Sequence, residues 1–524
     1  MTTGADESTA AGLRELLKTA RLLLLVCGIA IVAGVATGAE VRVGFTQDAL
    51  TLDPANHRKR ETETIIRNIY DGIMTQTSKS EVVPELAESV RQIDSLTYEA
   101  TLRKGVKFHS GDEMTAEDVK FTFDRLTREK AMGGQTSPRQ GLLGPLASTE
   151  AVDRYTVRFK LKEPWPVFPR MLPVQEIVSK KFVEKVGSDA LATQANGTGP
   201  FKLVEWRRGD SIIMERFADY YGGAPAIPPT GAARVDRVIF KIIPENASRM
   251  AALMAGEVDI VNEVPVFAIN TLERSGKAKV VKANGTRTFF IALNVTRPPF
   301  SDVRVRQAAN HAVDKKLVID RLLGNTATPV AGVLSPESFG SKPGLKEYAY
   351  DPNRAKKLLA EAGYAKGIDV TLDAEGAFKD QAEAIAAMLT KVGIRTKVQV
   401  WEGAVLTPIW RAEKKERDMY FNSWGSGALD PTGIFVPTLK TRDRGNTSGY
   451  SNAKVDKLLT AADTELDRNK RADMYHQAEK IVAEEAPWIF LWVPQDIYAV
   501  SNRLRGWAPG SDSRINLHRA YLAK

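Results

Sequence analysis

The sequence predicts an α/β protein of more than one domain, with mixed sheets and flanking helices. Three observations carry that expectation. At 524 residues the chain is longer than one hydrophobic core supports. Its 43% hydrophobic and 26% charged content is that of an ordinary globular protein. Stretches of period-two hydrophobicity alternate with stretches of helical periodicity along most of its length.

The elements follow in order. A polar start with Arg14, Lys18 and Arg21 leads into an uncharged run from Leu22 to Ala36. That run suits the apolar centre of a signal peptide and falls short of the ~20 residues that span a membrane. Thr37-Gly38-Ala39 supplies small residues for cleavage after Ala39, so export to the periplasm is expected, with 1–39 as the leader. Cys27, the single cysteine, lies inside this leader behind Val26, and a lipoprotein signal would place a small residue there. The exported chain then has no disulfide and no thiol nucleophile.

Val41-Arg42-Val43-Gly44-Phe45 and Tyr155–Leu161 alternate as strands do. Asp351-Pro352 opens a helix as N-cap and N1 proline; Ala355, Leu358, Leu359 and Ala362 share its apolar face, and Gly363 stops it. Next come a strand over Ile368–Leu372, a helix grouping Ile385, Met388, Leu389 and Val392, and a strand over 394–400. This is the pattern of a βαβ crossover. A helix over 469–485 then feeds the apolar run Trp488–Val493, which reads as a strand covered on both faces.

Chemistry is sparse. The net charge of +9 is spread among acids, as in Arg411–Asp418, rather than clustered as phosphate binding requires, so no nucleic-acid partner is expected. None of the five histidines stands at a metal-ligand spacing, and neither a Gly-x-Ser-x-Gly elbow nor a phosphate-binding loop occurs. The expectation is no catalysis, no metal and no cofactor. Trp401, Trp410, Phe421 and Trp424 gather in one region with Asn422, Ser423, Ser426 and Asp430, offering flat apolar area beside a few polar groups, as a small-molecule pocket does.

Several ordered motifs then resemble one family. They are Leu102–His109 with Gly111-Asp112 and Thr115–Val119; Gly197–Phe201 with Glu205-Trp206 and Gly209-Asp210; Asp219–Gly223; Asp302–Ala308; Gly449–Asn452; and Glu484–Trp488. Together they resemble the family 5 extracellular solute-binding proteins, the peptide-, nickel- and opine-binding components of ABC importers. The resemblance implies a two-lobed periplasmic-binding-protein fold with an extra inserted domain and two hinge crossings. Lobe I would take 40–71, 195–284 and 490–524; the inserted domain 72–194; and lobe III 285–489. A ligand would be trapped between closing lobes and passed to a permease/ATPase complex by a monomer.

In peptide-binding relatives, an aspartate three residues after the tryptophan matching Trp424 pairs with the peptide's amino terminus. Here that position is Gly427, and Asp430 is the available substitute. Trp401, Asn294, Asn446, Tyr450, Arg58, Arg60 and Glu61 complete the expected ligand contacts. A peptide or peptide-like solute leads, with an opine, a sugar or another solute as alternatives. An exported hydrolase and a membrane-attached interaction protein stand as the rival classes.

Overall fold

The computed structural model describes residues 39–524 except 79, 337, 342–343, 413–415, 427–429, 511–512 and 524. The expected leader with Cys27, and Gly427, lie outside the described residues. Among the described residues, no helix is long and apolar enough to cross a membrane.

The strand Glu40–Phe45 runs parallel to Arg237–Ile242 on one side and to Ile260–Val261 on the other. The hairpin Phe201–Arg207 with Ser211–Arg216 extends this sheet antiparallel. Alternate inward residues Val41, Val43, Ile212, Met214, Val238 and Phe240 pack with Ile515 and Leu517 from the C-terminal tail. These segments, far apart in the chain, build one lobe around a shared core.

The second lobe centres on the expected crossover. Ile368–Glu375 and Ile394–Trp401 pair in parallel, joined by the helix Lys379–Lys391. Ile385 and Leu389 of that helix pack on Val370 and Leu372. The sheet continues through Met419–Trp424 to Thr288–Leu293. The helix Pro352–Glu361 starts where its N-cap predicts, and the Asp351 carboxylate accepts from the Arg354 amide at 2.9 Å.

A third body holds the four-stranded antiparallel sheet of Ala87–Asp94, Thr97–Leu102, Thr156–Leu161 and Leu146–Ala151. The helix Ala116–Thr127 lays Val119, Phe123 and Leu126 on it. Asp118 reaches back to the Thr115 amide at 2.9 Å, closing the first turn.

One strand joins the two lobes. The apolar run after Pro487 extends to 14 residues, Trp488–Ser501, more than twice the expected length. Its first half pairs antiparallel with Thr288–Leu293, and its second half with Ala278–Asn284. The chain therefore passes between lobes twice side by side, at 285–287 and at 493–495. There Gln495 Nε2 donates to Asn284 Oδ1 at 3.0 Å.

Candidate functional site

Beside these crossings lie two contiguous cavities of about 890 and 510 Å³. They share Arg58, Leu142, Met171, Arg287, Gly425 and Ser426, so one cleft continues from one into the other. The larger cavity alone reaches the upper range of small-molecule sites. All three bodies contribute walls. Arg58 stands just before the helix Arg60–Ile66, and Arg60 and Glu61 lie in its first turn. Leu142, Trp165 and Met171 come from the inserted body, and Phe289, Phe378, Asn422, Trp424 and Ser426 from the second lobe.

Trp424 ends the strand Met419–Trp424 half-buried, with its indole N–H donating to the Gly433 carbonyl at 2.9 Å. The Arg444 guanidinium lies 5.2 Å from its ring centroid, a cation–π contact. Gly445 is required beneath it, because a β-carbon there would come within 2.7 Å of the indole and 2.8 Å of the Pro437 carbonyl.

The cleft is strongly basic. Arg58 and Arg444 lie near each other. Burial together with the neighbouring Arg444 and Arg139 holds the Arg58 pKa below the ordinary arginine value. Burial and the nearby Arg60 act likewise on Arg287, whose Nη1 donates to the Ser423 carbonyl and hydroxyl at 3.2 Å each. Arg139 and Arg514 are already matched, converging on Glu63 at 3.7 and 2.7 Å. Burial alone would raise the Glu63 pKa, but Arg514 and Arg139 outweigh it and hold the group below its ordinary value. Behind them burial and Arg139 push the His57 pKa down to about 4. The ring is therefore neutral near pH 7 and its Nε2 can accept from Arg139 at 3.1 Å.

Of the residues expected at a ligand site, Trp424, Ser426, Asn422, Arg58, Arg60 and Glu61 line this cleft. Five others are placed elsewhere. Asp430 is 1% exposed and its two oxygens accept from Arg471 at 2.6 and 2.7 Å. Its Oδ1 also accepts from the Thr432 amide at 3.1 Å, where the helix Thr432–Leu439 begins, so it is no stand-in counter-charge facing the cavity. Trp401 and Trp410 both donate to the fully buried Asp373 at 2.9 Å, joined there by Arg417. That aromatic group is a core built around one carboxylate. Asn294 is buried and ties its loop to the Arg417 carbonyl at 2.8 Å. Asn446 donates to the Lys440 and Tyr450 carbonyls, and the Tyr450 hydroxyl donates to Glu485, so both hold a turn together.

The reading from sequence missed Arg287, Arg444 and Trp165. Arg444 stands two residues before Asn446 in the same polar loop. Trp165 sits between Pro164 and Pro166, a pattern that marks a fixed surface turn. Arg287 carried no local signal, since its place comes from the interlobe crossing. Among the described residues, no group of three or more His, Cys, Asp or Glu could hold a metal ion.

Comparison with known proteins agrees with this architecture. The glutathione-binding protein GsiB of Escherichia coli (strain K12) is 28% identical over 515 residues, covering 96% of this chain and 98% of that protein. HbpA2 from Haemophilus parasuis superposes with a TM-score of 0.85 at 25% identity, over 93% of this chain and 100% of that one. The periplasmic binding protein DppA from Helicobacter pylori, solved with the peptide STSA, gives a TM-score of 0.75 at 27% identity over 93% and 99%. Residues 81–446 match the profile of the bacterial extracellular solute-binding proteins, family 5 middle region, which is well over half of the sequence. With its two lobes, inserted body and interlobe cleft, the chain belongs to the family 5 bacterial extracellular solute-binding proteins.

Proposed function

We propose that the protein is the periplasmic substrate-binding subunit of an ABC importer that captures a peptide or peptide-like solute and delivers it to a membrane permease and its ATPase. The observation that carries this reading is the cleft at the paired crossings, where Trp424, Trp165 and Phe289 offer apolar area beside Asn422, Ser426 and arginines. Relatives that bind glutathione or a short peptide support the same ligand class. Segments 40–71, 195–284 and 490–524 would move as one lobe against 285–489, with 72–194 carried on the first. Ligand contacts made to both sides favour the closed arrangement, and the transporter reads that population. The protein binds and releases its solute unchanged.

Thermal unfolding against dipeptides, tripeptides, N-blocked peptides, opines and sugars tests the proposal. A ligand at a hundred times its Kd stabilises by about 2.7 kcal/mol, which moves the midpoint by a measurable degree or more. Peptides should raise the midpoint, and Trp424→Ala should remove most of that rise. Stabilisation by opines or sugars alone would assign another solute class. Turnover of a peptide or glycoside would replace binding with hydrolysis.

A further inference from the structure

The charge of the cleft goes further than its shape. Across the two cavities seven cationic side chains face three carboxylates. Glu63 is already shared by Arg139 and Arg514. Glu61 and Glu375 are the remaining acids on the lining. Among the described residues, Arg58, Arg287 and Arg444 form no ion pair. Arg58 and Arg444 sit together on one side, where Arg58 approaches from the first lobe and Arg444 from the second. Among the described residues, Arg287, at the crossing, donates to the two Ser423 oxygens and is influenced by the Asp496 charge without forming an ion pair with it.

Gathering unmatched guanidinium groups in a cavity is unfavourable, and lobe closure removes more of the water that screens them. A planar guanidinium fork matches a carboxylate with two parallel hydrogen bonds, which is stronger than a neutral pair. A neutral zwitterionic peptide brings one carboxylate and adds an ammonium to an already positive site. Asp430 cannot answer that ammonium, since Arg471 holds both of its oxygens.

Resting on the peptide-like reading above, we propose that the cleft selects a net anionic, peptide-like solute bearing at least two carboxylates, one seated on Arg58 and Arg444 and another on Arg287. Glu375 or Glu61 is left for a single ammonium, if the solute has one. The aromatic walls then take the uncharged middle of the molecule. Ligand charge also helps to close the lobes, because Arg58 and Arg444 repel each other across the cleft until an anion lies between them.

Isothermal titration with four probes tests this: glutathione, Glu-Ala-Glu, Ala-Ala-Ala and Lys-Ala-Lys. The two acidic probes should bind at least about tenfold tighter than Ala-Ala-Ala, as each charge-assisted pair is a strong contact. Lys-Ala-Lys should bind weakest. Arg58→Gln and Arg287→Gln should each cut the acidic-over-neutral ratio by about tenfold, with an unfolding midpoint of the free protein that does not fall. A ratio near one, or tightest binding by Lys-Ala-Lys, overturns the charge selection while leaving a peptide receptor. A phosphorylated peptide binding tighter than Glu-Ala-Glu overturns the assignment to carboxylates. Absence of binding by every probe, charged or neutral, overturns the peptide reading and this inference with it.

Discussion

Asp430 lies where Arg471 makes two hydrogen bonds and Arg170 of the inserted body comes within 3.9 Å. A carboxylate so matched is a structural anchor. Replacing it with asparagine leaves the Arg471 charge buried without a counter-charge, a loss of about 3–5 kcal/mol. Asp430→Asn should therefore lower the urea midpoint sharply, while peptides that still bind the folded fraction keep their affinity. A selective loss of free-amine peptides with unchanged stability would return Asp430 to the ligand. Residue type alone could not separate these roles: Asp430, Trp401 and Trp424 all stand near turn formers. Trp401 found a buried carboxylate in Asp373 through a contact spanning 28 residues, whereas Trp424 donates to the nearby Gly433 carbonyl and keeps its ring on the cleft wall. Such pairing is set by tertiary packing, so only the ring left at the cavity edge was open to a ligand.

At the scale of elements, local signals were faithful where caps and periodicity acted alone. The Asp351 start and the crossover at 368–401 both form as the pattern predicts. The long strand Trp488–Ser501 was only half legible, because Pro494, Gln495 and Asp496 interrupt its apolar run at the crossing. Contacts between elements also carry a pH dependence. His109, at the end of the motif Leu102–His109, donates from Nε2 to the Gly199 carbonyl at 3.0 Å and accepts the Gly197 amide on Nδ1 at 3.3 Å. Burial pushes its pKa from 6.5 down to about 4, ahead of any charge effect. A histidine depressed in the folded state binds its proton more readily when unfolded. Stability is therefore intact above pH 6.5 and is lost as pH falls towards 4. Between pH 7 and 5 the loss assigned to His109 is about 2 kcal/mol. Unfolding free energies of the native protein and of His109→Gln should converge by that amount as the pH drops, and parallel pH curves would remove His109 as the cause.

The whole molecule turns on two chain crossings that lie against each other. Gly285 donates its amide to the Pro494 carbonyl at 3.2 Å, so the outgoing and returning strands stay bonded to each other at the crossing itself. A β-carbon at 285 would stand 2.3 Å from that carbonyl oxygen, a contact with backbone that no side-chain rotation relieves. Pro494 adds stiffness, since its fixed φ removes one of the torsions that a bend could use. Lobe rotation must be absorbed by the few residues around this contact, as hinges do. Gly285→Ala would force the strands apart, and the same displacement would tilt Arg287 and Phe289 away from the cleft they line. The expected result is a protein that folds with both lobe cores intact but closes poorly. In small-angle scattering the native protein should contract on saturating ligand, while Gly285→Ala contracts less and binds at least about tenfold more weakly. An equal contraction in the two proteins would mean that closure bends elsewhere, and that the approach of Gly285 to Pro494 is packing without a part in capture.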